Sequence, residues 1–229
     1  MDGAFRLPRP HDLLFLRRHD AFTPWAEGGL PDWLDAAWMM QAPLVARRAL
    51  AGSGRAPAGA RGLARKQRCA GEVALDAVAR RVTPEQLAAS LTAGAGAGRM
   101  AEGASTLPCI AVLLALVPRL SGLGLDWGPA GGVGFWLASG LPVLRPGSDL
   151  DLLVRVPRPP AHATLIALGA LQDESACRID IQLDTGAGGF ALNEYQRESA
   201  RGGKVLLKTA TGPLLLADPW DAPATRAAA

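Results

Sequence analysis

The chain has 229 residues, 49% of them apolar and 20% charged, which is enough apolar material for one large domain or two small ones and excludes a disordered chain. Its net charge of +3 is uneven, with 14 Lys and Arg against 9 Asp and Glu in residues 1–100 and 10 against 12 in residues 101–229. Its three cysteines lie far apart, and its longest apolar run is about half of what a membrane span needs. We therefore expect a folded cytoplasmic protein with no secretion signal, membrane span or zinc site, whose first half suits anions and whose second half suits cations.

The first elements predict a small basic N-terminal lobe over residues 1–92. A short strand is predicted in DLLFL, and a helix follows near residues 33–40. We interpret Trp25, Trp33 and Trp38 in this stretch as packing residues of a core or lid. Stacking of a tryptophan on a purine or on pantetheine is the alternative.

Residues 47–68 carry seven basic side chains and no acidic one. Their glycine- and proline-rich part, residues 51–62, predicts a loop. If RGLARKQR begins a helix, Arg61, Arg65 and Arg68 fall on one face of it. Guanidinium groups match phosphate oxygens bidentately, so the segment is a candidate phosphate clamp. The substrate-binding candidates are Arg47, Arg48, Arg61, Arg65 and Arg68, and a solvated arginine face is the alternative.

The next signals divide the chain into two lobes. Thr83, Pro84 and Gln86 have the order of an N-cap, a first-turn proline and a capping-box residue, and so predict a helix. The glycine-rich segment 92–105 predicts a linker after it. We therefore place a catalytic lobe over residues 106–229.

Strands alternate with helices in this second lobe, which predicts an α/β or α+β fold with a mixed sheet. The predicted elements are a helix at 109–117, a strand ending near 130, a helix at 133–138, a strand at 149–156, a helix at 163–171 and a strand in CRIDIQLDT. The segment KVLLKTATGPLLLADPW predicts either a final pair of short strands or one strand with a tail.

RPGSDLDLLVRV places two carboxylates at the start of an otherwise apolar strand. Alternate side chains of a strand share a face, so Asp149 and Asp151 point the same way while Leu150 points into the core. In RIDIQLDT the same alternation puts Asp180 and Asp184 on one face. If the two strands are neighbours, a third carboxylate joins the pair and the group suits Mg²⁺.

A glycine pair supplies the second half of this chemistry. Gly131 and Gly132, at a strand-to-helix turn, let backbone N–H groups approach a phosphate at the positive end of a helix. The order of glycine turn, carboxylate pair and third carboxylate favours metal-assisted phosphoryl or nucleotidyl transfer. The alternative is an ordinary strand end, in which Ser148 and Asp149 close a turn after RPG.

These motifs resemble known proteins. GG followed by GSDLDLLV is similar to the signature of the nucleotidyltransferase superfamily, which implies a small mixed sheet and a carboxylate-bound Mg²⁺ pair. More narrowly, the chain is identified as a member of the malonate decarboxylase holo-acyl-carrier-protein synthase family, also called phosphoribosyl-dephospho-CoA transferase. The blocks that carry this resemblance run through nearly the whole chain, in the order RPHDLLFL, VARRALAGSGRAPAGARGLARKQR, TPEQLA, SGLPVLRPGSDLDLLVRV, RIDIQLDTGAGGFALNEY and KVLLKTATGPLLLADPW.

The resemblance implies an activity, a partner and site residues. The implied reaction transfers 2′-(5-phosphoribosyl)-3′-dephospho-CoA from its triphosphate precursor to a serine of the malonate decarboxylase acyl-carrier subunit, with release of diphosphate. The matching catalytic and metal-binding residues are Asp149 and Asp151. We choose Asp180 as the third carboxylate of this catalytic and metal-binding set because its position in the strand is central. The matching substrate-binding residues of this lobe are Gly131, Gly132 and Ser148. The superfamily motif usually ends in Gly-Ser, whereas this chain has Gly132 in the serine's place, which leaves backbone donors alone.

Two other functions remain open from the sequence. A different Mg²⁺-dependent nucleotidyltransferase could adenylylate a protein, an RNA or a small molecule. The basic N-terminal segment could instead belong to a non-catalytic nucleic-acid-binding module, but residues 44–81 contain no Trp, Tyr or Phe for base stacking, which argues against nucleic acid.

Overall fold

The computed structural model describes residues 7–94, 107–173 and 175–223, which form two units with one six-stranded sheet each. The N-terminal unit contains the described residues up to 83 together with Leu141–Val143. The C-terminal unit contains residues 84–140 and those from 144 onward. Helices accompany both sheets, which confirms the expected α+β class.

The N-terminal sheet is entirely antiparallel, with strand order β2-β5-β4-β3-β1-β6. Its strands are β1 (Leu13–Leu16), β2 (Phe22–Pro24), β3 (Leu44–Ala46), β4 (Arg55–Arg61), β5 (Arg68–Ala74) and β6 (Val78–Val82). Asp35 caps the N-terminus of the helix α1 (Ala36–Gln41), because its carboxylate accepts a hydrogen bond from Trp38 N at 2.7 Å. Leu14, Leu44 and Val73 are fully buried in its core.

The structure corrects two predictions in the basic segment. Residues 55–61 are the strand β4 and not a loop, and residues 61–68 are not a helix, because β4 and β5 form a hairpin in which Arg61 pairs with Arg68. Ala56, Ala58 and Ala60 alternate into the core and are at most 4% exposed. Small side chains thus build a strand here, with an alternation that the neighbouring glycine and proline concealed.

The C-terminal sheet is mixed, with strand order β12-β11-β10-β9-β8-β7 and one parallel pair, β8 and β9. Its strands are β7 (Asp126–Pro129), β8 (Leu150–Arg155), β9 (Ile179–Asp184), β10 (Gly188–Ala191), β11 (Val205–Thr209) and β12 (Gly212–Leu216). The helices of this unit are α2 (Pro84–Thr92), α3 (Pro108–Gly122), α4 (Gly131–Ser139), α5 (His162–Asp173) and α6 (Leu192–Ser199). The predicted helices and strands of this lobe are confirmed, whereas β10 and α6 were not predicted.

The helix α2 groups with the C-terminal unit, although we expected residues 84–92 in the N-terminal lobe. It lies against β7 so closely that a side chain at Gly128 would overlap the backbone of Pro84. Ala88 is buried in the core of the same unit. The predicted linker at 92–105 falls mostly on residues 95–106, outside the described residues. No helix of the described residues has both the length and the apolar character needed to cross a membrane.

Candidate active site

The carboxylate pair lies at the start of β8, with Asp149 directly before the strand and Asp151 within it. Leu150 is fully buried, while Asp149 and Asp151 on either side of it are half-buried, as strand alternation requires. In the parallel ladder between β8 and β9, Asp151 is level with Asp180. Residues at one level of a ladder point to the same face, so the three carboxylates lie along one face of two neighbouring strands.

The three carboxylates are placed side by side without forming a closed metal cage. Within residues 7–94, 107–173 and 175–223, no three His, Cys, Asp or Glu side chains converge on a point where they could hold a metal ion. The donor set nevertheless fits Mg²⁺, which usually takes one or two carboxylates and completes its coordination with substrate phosphates and water. Asp149 suits this role because its carboxylate has no hydrogen-bond or ion-pair partner in the described part of the chain.

Arg178 is a charged residue of this face that the sequence reasoning missed. Its guanidinium donates to Asp180 Oδ1 from Nη2 at 3.0 Å and from Nε at 3.2 Å. The pair is open to solvent, with side-chain exposures of 69% for Arg178 and 31% for Asp180. The signal that could have found it is the i, i+2 spacing in RID, which puts both residues on one face of a strand.

Asp184, the other candidate for the third carboxylate, lies at the opposite end of β9 and is 3% exposed. It forms an ion pair with the guanidinium of Arg155 and accepts a hydrogen bond from Gly186 N at 2.8 Å. Arg155 also donates from Nε to Glu85 Oε1 at 2.9 Å, which connects α2 to the sheet. Asp184 therefore belongs to a buried structural network.

The glycine turn lies directly against the carboxylate face. Ala130 N donates to the backbone oxygen of Asp151 at 2.9 Å, and α4 begins at the next residue. Gly131 has φ +53, and a Cβ at this position would overlap the carboxylate of Asp151. The side chain of Asp151 therefore packs against the N-terminus of α4, where the helix dipole favours negative charge. Gly132 follows in the first turn of α4.

The remaining predicted substrate-binding residues lie outside this contact. Ser148 closes a turn, since its Oγ accepts a hydrogen bond from Arg145 N at 2.9 Å. The five predicted arginines are all in the N-terminal unit. Arg61 and Arg68 are opposite each other in the hairpin, and Arg65 is in the turn between them. Arg47 and Arg48 follow β3. Arg61, Arg65 and Arg68 thus lie together at one end of the hairpin, whereas Arg47 lies beside Pro57, four residues away along β4.

The cysteines of this unit are not activated nucleophiles. Burial is the main cause that raises the pKa of the Cys109 and Cys177 thiols, and the negative charge of Asp149 raises both further. A raised thiol pKa keeps the sulfur protonated and unreactive at neutral pH.

Comparison with known proteins agrees with the sequence motifs over both units. The family model described as phosphoribosyl-dephospho-CoA transferase MdcG C-terminal domain matches residues 86–219, and that of the MdcG N-terminal domain matches residues 9–84. Proteins named phosphoribosyl-dephospho-CoA transferase are 44% identical over 213 residues in Pseudomonas aeruginosa, 39% over 218 residues in Azotobacter vinelandii and 37% over 213 residues in Klebsiella pneumoniae. Each alignment covers 93% of this chain and 94%, 95% and 96% of the respective relative. No solved structure matches the chain significantly.

Proposed function

The chain belongs to the phosphoribosyl-dephospho-CoA transferase family, and from this premise we propose that it attaches 2′-(5-phosphoribosyl)-3′-dephospho-CoA to a serine of the malonate decarboxylase acyl-carrier subunit. The donor is the corresponding triphosphate. The serine oxygen forms a bond to the phosphorus nearest the ribose, the bond from that phosphorus to diphosphate breaks, and the serine proton passes to a base. The reaction takes place in the cytoplasm, and the three free cysteines support this reducing location.

The observation that carries the proposal is the contact between the carboxylate face and the start of α4. Transfer of a phosphoryl-type group requires cation-binding carboxylates next to donors for the departing phosphates. The packing of Asp151 on Gly131, where a Cβ would overlap the carboxylate, supports such an arrangement at the start of α4.

Each residue of the face has a separate part in this proposal. Asp149 and Asp151 would hold Mg²⁺ together with the phosphates of the substrate. When bound, the ion supplies positive charge that stabilises the departing diphosphate. Asp180, level with Asp151, completes the site and accepts the proton of the carrier serine. The backbone N–H groups of Gly131 and Gly132 bind the diphosphate at the N-terminus of α4.

The arginines of the N-terminal unit bind the rest of the substrate or the acidic face of the carrier. Arg47, Arg65 and Arg68 are exposed, and Arg48 and Arg61 are half-buried. Guanidinium groups bind phosphates through paired N–H donors, so these residues suit the phosphates of dephospho-CoA.

Mass spectrometry of the carrier tests the proposal. The apo carrier subunit is incubated with the triphosphate donor, Mg²⁺ and this protein, and its mass is expected to increase by one prosthetic group. Asp149→Asn and Asp151→Asn should abolish the increase. Asp126→Asn is the matched control, because Asp126 is exposed at the opposite end of the same sheet, level with Arg155. A carrier whose mass stays unchanged with the unaltered protein refutes the proposed function.

A parallel reaction separates the proposal from adenylylation. ATP replaces the triphosphate donor, with and without the carrier. If AMP is incorporated into any acceptor as fast as the prosthetic group is transferred from the triphosphate donor, the carboxylate face serves a different nucleotidyl transfer.

A further inference from the structure

A pocket of about 410 Å³ lies in the N-terminal unit beside β5. Trp25, Trp33 and Arg68 contribute its large side chains, and small residues form the rest of the wall. Ligand pockets typically measure about 300–1,000 Å³, so this one has room for a nucleobase with its ribose. Trp33 packs against the core of this unit, whereas Trp25 is 46% exposed.

The aromatic wall is held in place by the backbone. Trp25 N donates to Ala70 O of β5 at 2.9 Å, which attaches the start of the loop to the sheet. The ring of Trp33 packs on Gly62 so closely that a Cβ there would lie 2.9 Å from it. Trp25 keeps 46% of its surface exposed. An indole whose backbone is attached to the sheet and which is half exposed at the edge of a pocket is suited to stack on a ligand.

Positive charge surrounds the pocket. The guanidinium carbon of Arg47 lies 5.8 Å from the centre of the Trp25 ring, and Arg68 Nε donates to Arg65 O at 3.2 Å. Neither Arg47 nor Arg68 has a carboxylate partner within the described residues. Glu27 and Asp32 belong to the same loop as the pocket, but neither is part of its wall. The pocket therefore joins a π-surface to uncompensated guanidinium groups.

We propose that this pocket binds the adenine ring of the dephospho-CoA portion of the substrate, with Arg47 and Arg68 at the phosphates that follow the ribose. The inference rests on the proposed function for the identity of the nucleotide, and on the structure for the place where it binds. A purine offers a flat π-face to the indole rings, and its phosphates offer negative charge to the arginines. The pantetheine arm has no such face, so it suits this pocket less well.

Binding of 3′-dephospho-CoA tests the pocket without any chemistry. Isothermal titration calorimetry with the full-length protein measures the affinity of this probe. Loss of one stacked base weakens nucleic-acid binding by about 5- to 150-fold, so Trp25→Ala should weaken dephospho-CoA at least about 5-fold. Trp25→Phe, which keeps a ring, should stay within about threefold of the unaltered protein. Leu30→Ala is the matched control, because Leu30 is 41% exposed in the same loop but is not part of the pocket wall.

Three results would overturn the inference. The first is an unaltered protein that does not bind dephospho-CoA. The second is a Trp25→Ala variant that binds dephospho-CoA as tightly as Leu30→Ala does. The third is a Trp25→Ala variant that loses affinity for phosphopantetheine as strongly as for dephospho-CoA, which would assign the pocket to the pantetheine arm.

The carrier assay distinguishes this failure from failure of the proposed function. If the unaltered protein modifies the carrier but Trp25→Ala binds dephospho-CoA normally, the pocket assignment is wrong and the function stands. If dephospho-CoA binds through Trp25 but the carrier is never modified, the pocket stands and the function is wrong.

Discussion

Gly131 is the position where a single methyl group tests the candidate active site most directly. Its φ of +53 lies in the left-handed region, and a Cβ there would overlap the carboxylate of Asp151. Gly131→Ala therefore has two effects, which are backbone strain and displacement of a carboxylate. Gly140, at the other end of α4, separates them, because it has φ +74 and open space where its Cβ would be.

The magnitudes of the two effects differ. A non-glycine residue in the left-handed region costs about 1–2 kcal/mol, which both variants share. At about 2–4 °C per kcal/mol, each variant should lower the melting temperature by a few degrees. Only Gly131→Ala also moves Asp151, and a displacement of about 1 Å of a positioned group lowers the rate on the order of 100-fold.

The assay is the time course of carrier modification by mass spectrometry, with the melting temperature measured on the same samples. We expect Gly140→Ala to modify the carrier within about threefold of the unaltered rate, since only the strain term applies. Gly131→Ala should be slower by about 100-fold at an equal melting temperature. Equal rates for the two variants would show that Asp151 has no part in the transfer, or that its carboxylate does not pack against α4.

Three further predictions concern two charged residues and one thiol of the C-terminal unit. Asp184→Asn removes a negative charge that balances the buried guanidinium of Arg155, and should lower the free energy of unfolding in urea by about 3 kcal/mol. A loss below about 1 kcal/mol would contradict the structural role of Asp184. Burial raises the pKa of the Cys177 thiol, so its alkylation by iodoacetamide should be slow at neutral pH and accelerate only above about pH 8.5. Because the pKa of this thiol is higher in the folded than in the unfolded protein, its contribution to stability is complete below that pH and falls as the pH rises. Arg178→Gln should lower the Mg²⁺ concentration for half-maximal transfer by about 1.4- to 5-fold, since an exposed ion pair of about 0.2–1 kcal/mol no longer competes for Asp180. An unchanged Mg²⁺ requirement would remove Asp180 from the ion's site.

The carboxylate face was predictable because strand alternation depends only on local sequence. Leu150, Leu152 and Val154 are at most 1% exposed, as the pattern of LDLLV requires. The neighbouring positions of β8 and β9 were a condition of the prediction, and the parallel pair meets it. The two-residue alternation of side chains along a strand therefore identified which side chains share a face, although it could not show the distances between them.

The N-terminal sheet was less predictable because its strands are made of residues that usually mark loops. Gly59 and Gly71 lie within β4 and β5, and a side chain at Gly71 would overlap Thr23 O of the next strand. Glycine here serves close strand packing and not a turn. The same reason explains why β10 was missed, since Gly188 leaves no room for a side chain against Leu207.

The choice between Asp180 and Asp184 shows what the sequence could not decide. Both occupy one face of β9 by alternation, and each is paired with an arginine. The difference lies in exposure: Arg155 and Asp184 are 8% and 3% exposed, whereas Arg178 and Asp180 are 69% and 31% exposed. Separating a buried pair leaves uncompensated charges, but separating an exposed pair costs at most about 1 kcal/mol. The Arg178–Asp180 pair therefore separates at little cost and the Arg155–Asp184 pair does not, which is the reason for proposing Asp180 as the third carboxylate.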